Sequence, residues 1–411
     1  MSLEKKVFVI ILLALYWLFI SAENCAAQDN GNANLNAVVE ANTRFGFGLF
    51  SNLVKEDHRR NIFISPASIS LALSMTYNGA QGSTRQKMAQ TLGLDSITIE
   101  NVNQAYRTLI PALMNADTSV QLSIANSLWA KKEITFKPDF LNLVHTNYEA
   151  EIASLDFDDP ASVVTINNWV NEHTRGKIKS ILDKIEKDAI LFLINAIYFK
   201  GNWAAKFNEK ATQEKDFTLI SQARKKVQMM FHAGRYRYLK GKNFQAVSIP
   251  YGKDRFSMYI FLPDSGVELS KFYGDDLIPN GGGWISDFNY MDGDIYLPRF
   301  KIENDFMLTD HLKSMGMAEA FDSAHANFHA LCELGQEQNA FISFVRHKTF
   351  IEVNEKGTEA AAVTAVGIVI TSAYHSSEPH FIMIVDRPFF CAIRDNETGM
   401  LLFMGSIVDP Q

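Results

Sequence analysis

Cysteine is scarce in this chain of 411 residues, which contains only Cys25, Cys332 and Cys391. Three cysteines cannot supply the dense disulfide framework of small exported domains, so a hydrophobic core has to stabilise the fold. Hydrophobic residues make up 47% of the chain, which is enough for such a core. Cys391 lies in an apolar segment and is expected to be a buried free thiol. A bridge between Cys332 and Cys391 is the alternative.

Positive charge is also in short supply. The chain has 39 Lys and Arg against 46 Asp and Glu, a formal net charge of -7. Proteins that bind nucleic acid usually present a basic field to the phosphate backbone. The balance of charge therefore argues against a nucleic-acid partner.

Apolar runs long enough to cross a membrane, which takes about 20 helical residues, are missing. The apolar run over residues 7–20 is too short, follows Lys5 and Lys6, and precedes small residues that end at Ala27. A basic start, an apolar middle and a small-residue exit are typical of a secretory signal peptide. We expect a signal peptide over residues 1–27, with a cut after Ala22 as the alternative. The mature chain should then be secreted and extracellular, with no membrane anchor.

Motifs of catalysis are missing as well. The chain has no G-x-S-x-G elbow, no H-E-x-x-H helix, no phosphate-binding G-x-x-x-x-G-K-[ST] and no C-x-x-C pair, so no enzyme activity is expected. His325 and His329 are spaced to share a helix face, but no third metal ligand lies near them, so neither a metal nor a cofactor is predicted. Ser65, His347 and Asp386 are weak candidates for a triad, because Ser65 is already explained as a helix cap.

Helical and strand patterns alternate along the whole mature chain, with no repeat and no linker rich in Pro, Gly or Ser. This pattern predicts one α+β domain over residues 28–411. A helix should begin at Ser65 and Pro66, because a hydroxyl cap precedes a proline at the first helical position. Further helices are predicted over residues 35–56, 138–148 and 161–174. Strands are predicted over residues 61–64, 120–130, 190–200, 259–262, 294–300, 340–353, 381–385 and 401–407. The strand over 190–200 is apolar on both faces and should lie in the middle of a sheet.

The segment from Glu355 to Asp386 fits no ordinary element. It begins with small residues after Gly357, continues through Val366 to Ile370, and then becomes polar. As a strand it would place Thr358, Ala360, Ala362 and Thr364 on one face, with Glu359 pointing away. As a loop it would pair a glycine hinge with an exposed polar tail. The residues alone favour neither interpretation.

Six motifs occur in order across residues 35–411 and together resemble the serpin family. They are Asn61-Ile-Phe-Ile-Ser65-Pro66-x-Ser68, Gly79-Ala80, Asn195-Ala-Ile-Tyr-Phe-Lys-Gly201-x-Trp203 with Phe207 and Thr212, Glu355-x-Gly357-Thr358-Glu359-Ala360-Ala361-Ala362, Asp386-Arg-Pro388-Phe389, and Phe403-Met-Gly405. The resemblance implies a single domain of three β-sheets and about nine helices. It also implies that residues 355–386 form a reactive-centre loop.

The resemblance further implies a suicide-substrate inhibitor of serine proteases. A protease would cut the loop, and the freed part would insert into the central sheet as a new strand and trap the acyl-enzyme. The inserting face must lack bulk and charge. Thr358, Ala360, Ala362 and Thr364 meet this demand. Val363 departs from the more usual alanine but points to the less critical face. The whole hinge consists of Glu355, Gly357, Thr358, Glu359, Ala360, Ala361, Ala362, Val363 and Thr364. A non-inhibitory serpin that acts as carrier or chaperone is the alternative.

The reactive bond implied by the family's spacing is Thr371-Ser372, with Ile370 or Tyr374 as alternatives. Residues 357–386 contain no Lys or Arg, so a trypsin-like protease has no side chain to bind there. We expect an elastase-like, subtilisin-like or chymotrypsin-like target.

Other positions match family motifs by sequence. Ser65, Ser68, Asn195 and His347 match the shutter, a buried polar cluster beneath the strands that must part. Trp203 matches the breach, where the loop first enters, and Arg299 matches the partner of Glu355 in a salt bridge there.

Two remaining features concern partners and modification. The helix predicted over residues 99–115 has Arg107 as its only basic residue, so no heparin cofactor is expected. Asn396-Glu397-Thr398 is the only glycosylation sequon, so Asn396 is the candidate acceptor. The protein is expected to be a monomer whose partner is a serine protease.

Overall fold

The computed structural model describes residues 31–333, 340–358 and 379–410. Within these ranges the strands form three sheets of nine, six and two strands, and eight α-helices pack around them. The fold is therefore α+β, as predicted. The signal peptide predicted over residues 1–27 lies outside the described residues.

The helices are α1 (31–56), α2 (Pro66–Tyr77), α3 (Gly82–Leu92), α4 (Ile99–Met114), α5 (Pro138–Tyr148), α6 (Ala161–His173), α7 (Leu269–Phe272) and α8 (Thr309–Leu312). The strands are β1 (Ile62–Ile64), β2 (Val120–Lys131), β3 (Thr135–Phe136), β4 (Glu151–Leu155), β5 (Leu191–Asn202), β6 (Gln213–Thr218), β7 (Arg224–Lys240), β8 (Phe244–Tyr251), β9 (Phe256–Pro263), β10 (Asn289–Pro298), β11 (Phe300–Met307), β12 (Cys332–Glu333), β13 (Ile342–Asn354), β14 (Gly357–Thr358), β15 (His380–Ile384), β16 (Phe389–Asp395) and β17 (Leu401–Ile407).

Helix α2 begins as its sequence predicts and is buried along its whole length. The Ser65 hydroxyl accepts the Ser68 N–H at 3.2 Å, and Pro66 occupies the first turn, where a missing N–H costs nothing. All twelve residues of the helix are buried, and they pack against β5 and β17. This position brings Ser65 and Ser68 beneath the central sheet.

The six-stranded sheet, called the central sheet below, has the order β11-β13-β14-β5-β2-β4. Strand β5 is buried on both faces for most of its length and pairs antiparallel with β2, which confirms its predicted central place. On its other side β5 pairs parallel with β13, from Leu191 opposite Ile342 to Ala196 opposite Lys348. Beyond that point the two strands no longer pair directly.

The nine-stranded sheet has the order β1-β17-β16-β9-β8-β7-β10-β15, with β6 also paired to β7. The single strand predicted over residues 294–300 is wrong, because β10 ends at Pro298 in this sheet and β11 begins at Phe300 in the central sheet. Pro298 has no N–H to continue a ladder, and the Arg299 N–H bonds the Gln228 carbonyl at 2.8 Å. The chain therefore changes sheets at Arg299.

Three alternatives from the sequence receive an answer from the structure. Cys332 and Cys391 are both free and buried, so the disulfide alternative is wrong. His325 and His329 lie in turns instead of on a helix, and the described ranges contain no group of three metal-ligating side chains. The Ser65 hydroxyl donates a hydrogen bond to the Leu402 carbonyl at 2.6 Å. His347 Nε2 accepts a hydrogen bond from the Ser65 backbone N–H and not from the hydroxyl, so the two side chains do not form the contact of a catalytic triad.

None of the helices within the described ranges combines the length and apolarity that crossing a bilayer requires.

Candidate functional site

The central sheet is open at one end, and the two-residue strand β14 occupies the opening. Thr358 lies opposite Val353 of β13 and opposite Gly201 of β5, and both pairings are antiparallel. Strands β13 and β5 thus flank β14 here, whereas deeper in the sheet they pair with each other. The described part of the hinge has therefore already entered the sheet as a strand.

Gly357 is required at the turn into β14. Its φ is +147°, a backbone conformation that L side chains rarely adopt. A Cβ atom built on Gly357 would lie 1.9 Å from the carbonyl oxygen of Gly201, which is backbone and cannot move aside. The close approach of β14 to β5 consequently depends on this glycine.

Thr358 is buried in the sheet, with only 1% of its surface exposed. Its hydroxyl lies 2.6 Å from the hydroxyl of Tyr251, at the end of β8 in the nine-stranded sheet. Burial raises the pKa of Tyr251 well above its ordinary value, so the phenol stays neutral beside Thr358. The small side chain with a satisfied hydroxyl fits a position where bulk or charge would be costly.

Trp203 anchors the residues that lead into β14. Its indole N–H donates to the Asn354 carbonyl at 2.8 Å, and its backbone N–H donates to the Lys356 carbonyl at 2.9 Å. Its ring stacks on Tyr251 at 4.4 Å between centroids. The Phe207 N–H adds a bond to the Glu355 carbonyl at 3.0 Å. Position 203, assigned to the breach by sequence, thus lies directly against the entering strand.

Glu355 forms an ion pair with Arg299 at the mouth of the opening. The Arg299 Nη2 and the Glu355 Oε1 are 2.6 Å apart, and the Thr212 hydroxyl donates to the same carboxylate. The Glu355 side chain is 4% exposed and that of Arg299 is 43% exposed. Burial acts to raise the pKa of Glu355, but the hydrogen bonds from Arg299 and Thr212 outweigh it and hold the pKa below its usual value. The carboxylate is therefore charged at neutral pH.

A buried polar cluster lies where β5 and β13 stop pairing. It consists of Ser65, Ser68, Asn126, Asn195 and His347, each no more than 2% exposed. The Asn195 amide donates to the Ser68 carbonyl at 2.9 Å and also contacts Asn126. Asn195 lies opposite His347 in the register, one position before the last direct pair of the two strands. Parting β5 from β13 must therefore separate these two side chains.

The imidazole of His347 is held in one tautomer. Its Nδ1 lies 2.7 Å from the carbonyl oxygen of the Asn195 side chain and therefore carries the proton. Its Nε2 accepts the backbone N–H of Ser65 at 3.1 Å. Burial lowers the pKa of His347 to about 3, against the opposing charge of Asp305. A second proton on His347 would occupy the Nε2 lone pair that accepts the Ser65 backbone N–H, and this would disrupt the cluster.

The remaining predicted positions are placed as follows. Asn396 donates both amide hydrogens, to the Asp254 carbonyl at 2.9 Å and the Ser257 hydroxyl at 2.8 Å, so the folded chain leaves neither free for a glycan. Outside the described residues lie the hinge positions Glu359, Ala360, Ala361, Ala362, Val363 and Thr364 and the reactive-bond candidates Ile370, Thr371, Ser372 and Tyr374.

Sequence reasoning missed two contributors to this site, Asn126 and Tyr251. Asn126 had a visible signal, because it is an amide inside a strand predicted to be largely apolar. Tyr251 had no such signal, because its hydroxyl contacts that of Thr358, which is 107 residues away in the sequence.

Comparisons with known proteins identify the fold. A family model described as "Serpin (serine protease inhibitor)" matches residues 40–410. Human serpin B8 is 36% identical over 384 residues, which cover 92% of this chain and 100% of that protein. Human leukocyte elastase inhibitor is 36% identical over 382 residues, which cover 90% of this chain and 98% of that protein. The crystal structure of tengpin, a thermophilic serpin in the native state, superposes with a TM-score of 0.83 at 33% identity, over 90% of this chain and 94% of that one.

Proposed function

The chain belongs to the serpin family, and we propose that it is a secreted suicide-substrate inhibitor of serine proteases, not an enzyme. The observation that carries the proposal is β14, which places Thr358 between β13 and β5 with its small side chain buried. A strand that already begins between its future neighbours is the starting point that insertion requires. The inhibitor names of the relatives support the same function.

The proposed reaction starts with attack by the protease on the loop as on a substrate. The serine oxygen of the protease bonds to the carbonyl carbon of Thr371, and the amide bond to Ser372 breaks. The histidine of the protease passes the serine proton to the departing amine of Ser372. The acyl-enzyme that results is an ester, and the freed segment then lengthens β14 down the central sheet. The protease is dragged along and its active site is deformed before water can hydrolyse the ester.

Trapping of this kind needs a folded state that is not the most stable one. Strands β5 and β13 must part beyond Lys348, which breaks the contact between His347 and Asn195. We propose that this polar cluster is the barrier that holds the sheet closed until the loop is cut.

The proposed target is an elastase-like protease, with subtilisin-like and chymotrypsin-like proteases as alternatives. Absence of Lys and Arg from residues 357–386 disfavours a trypsin-like target. Relatives named leukocyte elastase inhibitor support the preferred class. Secretion is proposed from the basic, apolar and small-residue order of residues 1–27, and the protein is proposed to act as a monomer.

One experiment tests the inhibitory function and locates the reactive bond. The mature chain is mixed separately with elastase, subtilisin, chymotrypsin and trypsin, and each mixture is run on a denaturing gel and analysed by mass spectrometry. We expect a covalent complex with elastase and a released peptide that begins at Ser372. A peptide that begins elsewhere would move the reactive bond, for example to Ile370 or Tyr374. Clean cleavage by every protease, without a complex, would contradict inhibition and favour a carrier or chaperone.

A further inference from the structure

The edge strand β15 carries apolar side chains on the face that should be polar. Its residues alternate between buried and exposed, with Phe381 and Met383 inside and His380, Ile382 and Ile384 outside. A strand with one solvated face normally places polar residues on it. Ile382 is nevertheless 58% exposed and Ile384 39% exposed.

The apolar surface continues from Ile384 onto the neighbouring strands, whereas Ile382 lies beside Asp294 of β10. In the parallel pairing with β10, Ile384 lies beside Tyr296, and in the next pairing Tyr296 lies beside Phe231 of β7. The rings of Tyr296 and Phe231 are 4.9 Å apart, and the Lys215 Nζ lies 4.3 Å from the centroid of the Tyr296 ring. We call Phe231, Tyr296, Ile382 and Ile384 the outer apolar patch.

The side chains of the patch point away from the face of the sheet, not along its free edge. Within the described residues, β15 has a paired strand on one side only. That edge is five residues long, and His380 at its start pairs with Asp294 at 3.5 Å. A short edge that begins with a polar, paired side chain is poorly suited to strand-to-strand pairing with a second copy. Side chains that point away from the sheet instead suit a partner that lies against its face.

Chain length places the patch within reach of a protease bound at the loop. Eight peptide units separate Ser372 from His380, so the two residues lie within about 28 Å of each other whatever path the chain takes. A protease of about 220 residues has a radius of gyration near 17 Å, and its surface extends farther. A protease engaged at Thr371 is therefore large enough to reach β15.

We propose that the outer apolar patch is a secondary docking surface for the target protease, which presents a complementary apolar area beside its active-site cleft. This inference rests on the proposed inhibitory function and adds a determinant of target choice outside the loop. Burial of two isoleucine side chains in the encounter complex increases the association rate, so their loss should reduce it by about tenfold.

The test compares two variants of the full mature chain with the wild type. One is the double variant Ile382→Ser, Ile384→Ser. The control is Val164→Ser, because Val164 is 57% exposed on α6, away from this sheet, and loses an equally exposed aliphatic side chain. The second-order rate constant of covalent complex formation with elastase and the stoichiometry of inhibition are measured for each. Should the double variant fail to fold, Ile382→Thr replaces it, because threonine keeps the β-branch.

We expect the double variant to react about tenfold more slowly at an unchanged stoichiometry, with the control equal to the wild type. Equal rates for all three proteins, or an equal reduction in the control, would overturn the inference and leave the inhibitory function intact. Concentration-dependent dimers of the wild type that the double variant does not form would assign the patch to a second copy and also overturn it. A wild-type chain that traps no protease would overturn the proposed function and this inference with it.

Discussion

Thr358→Arg is the most direct perturbation of the proposed mechanism. Thr358 is 1% exposed, lies between Val353 and Gly201, and bonds the Tyr251 hydroxyl. Arginine at this position would bring an unpaired cation into the sheet, and no acidic side chain is among these contacts. Burial of an uncompensated charge costs several kcal/mol. The uncleaved variant relieves this cost by withdrawing β14 from the opening, whereas insertion has to bury the arginine again. About 3 kcal/mol of this cost in the transition state of insertion would slow insertion about 100-fold, since 1.4 kcal/mol is a factor of ten.

Slower insertion changes the outcome because it competes with hydrolysis of the acyl-enzyme. We expect Thr358→Arg to be cut at the same bond and then released, so that the moles of inhibitor needed per mole of elastase rise at least about tenfold. A titration of residual elastase activity measures this stoichiometry, and a denaturing gel separates covalent complex from cleaved chain. Thr135→Arg is the control, because it adds the same charge at an exposed strand position. Thr358→Ser keeps the hydroxyl for Tyr251 and should inhibit normally. A Thr358→Arg variant that traps elastase as efficiently as the control would refute insertion through this opening.

Three further predictions concern the groups around the opening. Because burial lowers the pKa of His347 to about 3, the unfolded chain takes up a proton at this residue before the folded chain does as the pH falls. The free energy of unfolding, measured by denaturant titration, should therefore drop by about 2 kcal/mol between pH 7.5 and pH 5. The drop should be smaller in His347→Gln. Glu355→Gln removes the ion pair with Arg299, so amide hydrogen exchange at Thr358 should become about tenfold faster. Unchanged exchange would show that the ion pair does not stabilise β14 in the opening. Asn126→Ala takes an acceptor from the buried Asn195 amide and should lower the unfolding free energy by about 1–3 kcal/mol, which thermal melts would detect.

Local patterns in the sequence predicted the regular elements well. Helix α5 has the predicted bounds because Pro138 starts it and Glu149 leaves it in a left-handed conformation. Strand β5 could be placed inside a sheet because its residues are apolar on both faces. The strand predicted over residues 294–300 failed at Pro298, where the apolar pattern continues but the hydrogen-bond ladder cannot.

The candidate site was predictable mainly through the family resemblance. Sequence spacing alone did not bring together Asn195 and His347, which are 152 residues apart, and composition assigned neither a role. Tyr251 was missed because hydrogen bonds between strands of different sheets leave no periodic signal in either strand. Register and tertiary contact, which depend on the whole chain, supplied this part of the site.

In the proposed insertion, the register of the two residues of β14 would also determine the partners of every residue that follows them into the sheet. In an antiparallel ladder each further residue of the entering strand meets one residue further back on each neighbour. Counted from Thr358, the pairings with Gly201 and with Val353 would independently bring Thr364 opposite Asn195 and opposite His347 after insertion. In the cleaved chain a threonine hydroxyl would therefore stand between the two side chains that now bond each other directly. The polar contact that closes the sheet would thus be replaced, and not merely lost, when the sheet opens.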